Sequence, residues 1–145
     1  MTAGFQQTVN LQQAAAVAGD FASANPRSSV VSHEGTLVAG ATGVTVARFA
    51  WANGSGVVSN AGSGKPTGFV HRRQGAALIT TYLAETSLLI PQGFEVTLMA
   101  TGDYWVAHIT DPATVGQKVF ASLTTGEIRT AAAGATVAGF IETDF

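Results

Sequence analysis

The sequence contains no cysteine, and that absence alone removes several classes of chemistry. A disulfide framework, a thiolate metal site and a thiol nucleophile are all excluded. Charge is nearly as scarce: seven Lys and Arg and nine Asp and Glu are spread over 145 residues, for a formal net charge of −2. Such a chain has no footprint for a phosphate backbone or an anionic surface, so neither nucleic acid nor membrane is an expected partner. No apolar run approaches the roughly 18 residues that a bilayer-spanning helix needs. Met1 to Asn10 lacks a basic stretch followed by an apolar one, and no secretory leader is expected. What the chain has in abundance is small side chains, 25 alanines and 17 glycines. Hydrophobic residues make up 46% of the chain, but so many are alanine that the large ones suffice for one core and little more.

Two regions differ in texture. In residues 1–26 Gln6, Gln7, Gln12 and Gln13 alternate with small or apolar residues, and Pro26 closes the stretch. Alanine favours helix from Leu11 to Ala18, but no amphipathic stripe forms and Gly19-Asp20 ends the run after two turns. An extended N-terminal arm, ordered by what it touches, is the expectation, with Phe5, Val9, Leu11 and Phe21 as its anchors. A cut after Pro26 is then expected to leave a folded domain, residues 27–145. There, β-prone runs alternate with glycine-rich turns: Val30-Val31, Gly43 to Trp51, Gly56 to Val58, Gly68 to His71, Leu78 to Leu83, Val96 to Met99, Tyr104 to Ile109, Lys118 to Leu123 and Val137 to Ile141. Asn53-Gly54 and Thr125-Gly126 sit where hairpin turns need positive φ. Strands at such short intervals predict an all-β fold, a single compact antiparallel β-sandwich or barrel. A weak internal repeat lays residues 44–71 over 115–142, with Phe49-Ala50 matching Phe120-Ala121 and Gly68-Phe69-Val70 matching Gly139-Phe140-Ile141.

Reactive constellations are sparse. Gly62-Ser63-Gly64-Lys65 has the look of a phosphate loop, but Ser59 stands where the first glycine belongs and Pro66 replaces the magnesium-binding hydroxyl. His33, His71 and His108 show no local ligand pairing. Asp103 and His108 are five residues apart, on opposite faces of a regular strand, which argues against an acid–base pair. No catalytic residue, cofactor or metal ligand is nominated, and the chain is expected not to be an enzyme. His71-Arg72-Arg73 is the basic cluster, suited to guarding a sheet edge or to donating ion pairs at an interface. Phe49, Phe69, Phe94, Phe120 and Phe140 fall in strand patterns and are expected in the core, with Trp51 on the same face as Phe49. Tyr104 and Trp105 are adjacent, so one points inward and the other is free to anchor a partner. An exposed ring there also fits a sugar-stacking platform, which leaves a carbohydrate- or host-surface-binding module as the alternative reading.

Several stretches resemble the capsid cement, or head decoration, proteins of tailed bacteriophages. They are Ala16 to Arg27, Gly43 to Trp51, Pro66 to Arg72, Ile79 to Leu83, Ile90 to Phe94 and Val115 to Ala121. The resemblance spans nearly the whole chain. It implies a β-rich protein made in the host bacterial cytoplasm that assembles on the exterior of the capsid of the virion. There it would bind the major capsid protein, associate with itself as a homo-dimer or homo-trimer, and stabilise the head against internal DNA pressure. The family implies no catalytic residues. Phe5, Val9, Leu11, Phe21, Arg27, Arg72, Arg73, Tyr104 and Trp105 are the candidate capsid or subunit interface residues.

Overall fold

The computed structural model describes residues 16–32, 35–73, 88–107 and 112–145. These contain no helix and eleven short strands. In chain order they are β1 (Ser28–Ser29), β2 (Val38–Ala39), β3 (Val44–Thr45), β4 (Phe49–Ala52), β5 (Val57–Ser59), β6 (Gly68–Val70), β7 (Leu89–Ile90), β8 (Leu98–Thr101), β9 (Lys118–Ser122), β10 (Ile128–Ala131) and β11 (Phe140–Glu142). The all-β expectation holds, and the strands divide among three sheets: β1-β8-β6-β4-β5-β2, β10-β9-β11 and β3-β7. Pairing is antiparallel except between β2 and β5, which run parallel.

The six-stranded sheet is covered on both faces. In β4, side chains alternate across the sheet, so Phe49 and Trp51 point one way and Ala50 the other. Phe49, Trp51 and Phe69 pack against Ala121 and Ile128 of the three-stranded sheet. On the opposite face Ala50, Val58, Val70 and Leu98 pack with Val44 of β3, and Ile90 of β7 closes over them. Burial on two faces is why β4 and β6 read as continuous apolar runs rather than alternating ones. Both three-strand units place their first strand in the middle, β4 between β5 and β6 and β9 between β10 and β11. Their registers differ, since Phe49 faces Phe69 whereas Phe120 faces Glu142.

Several expectations need correction. The single strand expected from Gly43 to Trp51 is two strands, broken at Val46-Ala47 where Ala47 has φ of 63°. That left-handed residue turns the chain from the two-stranded sheet into the six-stranded one, where the Ala47 N–H bonds the Val70 carbonyl. In the β4–β5 hairpin the positive φ falls on Gly56, at 77°, rather than on Gly54. Asn53 explains the shift: its Oδ1 accepts from the Ser55 and Val57 N–H groups at 3.0 and 2.9 Å, which closes a longer turn. Gly126 does have the expected positive φ, 68°. Phe94 is 48% exposed rather than core, because it follows the Pro91–Gly93 turn instead of lying in a strand. The pairing with β8 starts earlier than expected, at Ser28–Ser29, and ends with the Val30 N–H on the Leu98 carbonyl at 2.8 Å, while Val31 is exposed. From Tyr104 to Ala107 the expected strand reduces to one bridge, between Tyr104 and Phe21. The expected strand from Leu78 to Leu83 lies outside the described residues.

One node ties the three sheets together. Asn60, directly after β5, accepts the Thr45 N–H at 2.6 Å and donates through Nδ2 to the Thr45 and Phe49 carbonyls at 3.3 and 3.0 Å. The Phe49 N–H in turn donates to the Gly126 carbonyl at 2.8 Å, which seats the β9–β10 turn on β4. Glycine is obligatory at 126, since a Cβ there would run into the Phe49 carbonyl. Arg48 clamps the same turn by pairing with Glu127 at 3.0 Å and donating to the Thr125 carbonyl at 3.2 Å. Asn60→Ala, which strands three backbone groups, is expected to cost about 2–3 kcal/mol in denaturant unfolding. Asn60→Asp should cost at least as much, because it sets a carboxylate against two carbonyls. Gly126→Ala combines positive φ with the clash and should cost about 2 kcal/mol or more in the same measurement.

Candidate functional site

Beyond β6 and β8 the chain leaves the sheet, and the segment 19–22 lies across both exits. The Gly19 N–H donates to the Trp105 carbonyl at 2.7 Å, the Trp105 N–H to Asp20 at 2.9 Å, and the Ala22 N–H to Asp103 at 2.8 Å. The Arg72 N–H closes the other side on the Gly19 carbonyl at 2.8 Å. Gly19 is buried with φ of 95°, and a Cβ there would press on Val46 and Arg72, so the close approach requires glycine. Residues 19–22 are therefore hydrogen-bonded into the β-domain, and a cut after Pro26 would remove part of it.

Side chains gather around this clip. The Phe21 ring stacks on His71 with centroids 5.1 Å apart and touches Tyr104 at 5.4 Å. Above it, the Arg27 guanidinium carbon sits 3.8 Å from the ring centroid, in a cation–π contact. Tyr104 packs inward on Phe69 at 4.6 Å and donates its hydroxyl to the Thr101 carbonyl at 3.0 Å. Trp105 points the other way and is 47% exposed, next to exposed Val106. Arg72 pairs with Asp20 at 3.1 Å. Asp103 accepts from Ser23 Oγ and Asn25 Nδ2, both at 2.6 Å, and these bonds hold its carboxyl below the ordinary carboxylate value.

Of the nine residues nominated from sequence, Phe21, Arg27, Arg72, Tyr104 and Trp105 thus converge, and exposed Arg73 follows Arg72 on the same exit. Phe5, Val9 and Leu11 lie outside the described residues. Phe21, expected as an anchor on a partner, is packed on its own chain. Sequence reading put His71 in a basic cluster suited to an interface but missed its stack on Phe21, and missed Asp103 as part of this face, because these roles depend on partners 50 to 80 residues away. A cavity of about 620 Å³ opens beside it between the two larger sheets, floored by Phe49, Phe69, Ile128 and Phe145.

The other chemical candidates have structural explanations. The Gly62 backbone lies flat on the Trp51 indole, whose Nε1–H donates to the Gly64 carbonyl at 3.0 Å, so the glycine-rich loop is a lid on Trp51. Lys65 in that loop pairs with Asp144. Trp51 is buried and Tyr104 is engaged, which leaves Trp105 as the exposed ring of the three considered for sugar stacking. Among the described residues no group of three or more His, Asp or Glu could hold a metal ion, and no helix is long and apolar enough to cross a membrane.

His71 makes this face sensitive to acid. Burial chiefly, and then the Arg73 and Arg27 charges, hold its imidazole below the ordinary 6.5, against the opposing effect of a hydrogen bond to the Thr97 backbone. Its Nδ1 is buried with no hydrogen-bond partner among the described residues. Between pH 6.5 and the lower folded value the unfolded chain binds a proton that the folded chain refuses, so stability falls as pH drops through that window. Asp103, whose folded value is lowered, loses its own contribution separately, as pH falls from 3.8 through that lower value. His71→Phe, which keeps the stack but cannot protonate, should abolish the upper part of the decline in urea midpoints measured from pH 8 to pH 5.

No curated protein matches the chain. The family description XM1 gp53 minor capsid protein matches residues 5–145, nearly the full length. The chain therefore belongs to the XM1 gp53 minor capsid protein family, a family of phage capsid-associated proteins.

Proposed function

We propose that this protein is a capsid decoration, or cement, protein that binds the outer surface of the major capsid protein shell and stabilises the head against the pressure of packaged DNA. The observation that carries the reading is the family match over residues 5–145. The clip around Phe21 supports it, because it presents Arg27, Arg73 and Trp105 from a hydrogen-bonded frame rather than from a loose loop. A rigid face loses less side-chain and loop entropy on docking, so more of the contact energy appears as affinity. A standard-size contact of roughly 800 Å² per partner would suffice at each site. Residues 1–15, with Phe5, Val9 and Leu11, serve in this reading as an arm laid on a neighbouring subunit. Two linked contacts on adjacent subunits raise the effective concentration of the second, which is how a small protein staples a shell. Self-association as a dimer or trimer would match a local symmetry axis of the lattice.

Cosedimentation with shells stripped of this chain tests the reading. The full chain should bind saturably and raise the temperature at which the shells open. A Phe5→Ala/Val9→Ala/Leu11→Ala variant should bind at least tenfold more weakly. Equal binding by that variant would sink the arm, and no binding by the full chain would sink the function.

A further inference from the structure

The molecule is slightly acidic, yet the surface around His71 carries two arginines that make no ion pair among the described residues. Of the seven Lys and Arg, Arg48, Lys65 and Arg72 are held in ion pairs by Glu127, Asp144 and Asp20. Arg27, Arg73, Lys118 and Arg129 have no ion-pair partner among the described residues; of these, Arg27 and Arg73 both act on His71, and exposed Trp105 is hydrogen-bonded through its backbone to the clip beside them. Of the two acidic groups there, Asp20 is paired with Arg72, while Asp103, held by Ser23 and Asn25, keeps its negative charge. Two arginine charges therefore stand against one carboxylate, and the local balance is positive.

We infer that the Arg27–Arg73–Trp105 face takes an acidic protein segment, with one or two Asp or Glu carboxylates next to an apolar side chain. This rests on the capsid-binding reading above and identifies the chemistry that the shell subunit must offer. Arg27 is preorganised, because its guanidinium sits over the Phe21 ring and no ion pair engages its N–H groups among the described residues. Arg73 is exposed and adds a second donor from the β6 exit. Both guanidiniums act electrostatically on His71, so both charges lie near that ring. Trp105, 47% exposed, supplies the apolar contact at the edge. Arginine and tryptophan are the side chains that most often dominate interface energies.

A nucleic-acid backbone fits the face poorly. Polyanion binding draws on several cations in a row, and here there are two on a chain of net charge −2. A carboxylate pair on a protein loop needs no more than two.

Two measurements test the assignment. In the first, stripped shells are titrated with the wild type, Arg73→Gln, Arg27→Gln/Arg73→Gln and Trp105→Ala, at low and at high salt. The double Gln variant should bind at least tenfold more weakly with a flatter salt dependence, and Trp105→Ala should weaken binding without changing that dependence. Arg73→Gln keeps the test readable if losing Arg27 loosens Phe21, since Arg73 is exposed and makes no ion pair among the described residues. In the second, a fluorescent oligoglutamate peptide containing one leucine is titrated into the free protein, with a DNA oligomer as competitor. Saturable peptide binding that the double variant lacks supports the assignment, even if the shells fail to bind and the capsid reading falls. Wild-type shell binding that the double variant retains, at the same salt dependence, overturns it. So does a face that binds the DNA oligomer and ignores the peptide.

Discussion

The fold hangs on the hydrogen bonds that Asn60 and Gly126 make to the backbone around Phe49. A chain with mostly small side chains buries little apolar surface per residue, so loosely packed layers would slide. Asn60 prevents this by bonding Thr45 in one sheet and Phe49 in the next, while Gly126 brings the third sheet within backbone distance of the same strand. Three short sheets, none stable alone, then share one register. The side-chain packing of Phe49 against Phe69 and Phe145 fills the space this geometry leaves.

The interaction face inherits its rigidity from that arrangement. β6 and β8 are central strands, paired on both sides, so their exits at His71 and Gly102 are held in place. The segment 19–22 bridges those exits with backbone hydrogen bonds, and the aromatic ring of Phe21 becomes the floor for a guanidinium. The positive charge of the face is thus not a property of the chain, whose net charge is −2, but of where one clip places Arg27 and Arg73. Burying the His71 Nδ1 without a hydrogen-bond partner among the described residues costs stability, and the aromatic stack with Phe21 offsets part of it.

Much of the fold was legible because it rests on local chemistry. β-Branched and aromatic runs bounded by glycine identified β4, β5, β6 and β9, and the alternation of Phe49 with Trp51 correctly put both on one face. Two-residue strands such as β2 and β7 were not, since two residues carry no periodicity. Phe94 shows the limit of hydrophobicity as a guide: the turn before it, not its side chain, decides that it is exposed.

By itself, then, the sequence determined the class of structure, the absence of thiol chemistry, the poverty of charge and a set of residue types suited to contact. Those follow from composition and from neighbours within a few positions. Tertiary structure alone decided that Gly19 and Gly126 mark close backbone approaches rather than flexible turns. It also decided that Phe21 belongs to its own domain, and that Arg27, Arg73 and Trp105 gather around one clip in which Asp20 is paired with Arg72. The reason is physical: each of these depends on a partner far away in the chain, and such pairings are selected by how the sheets stack rather than by any local preference.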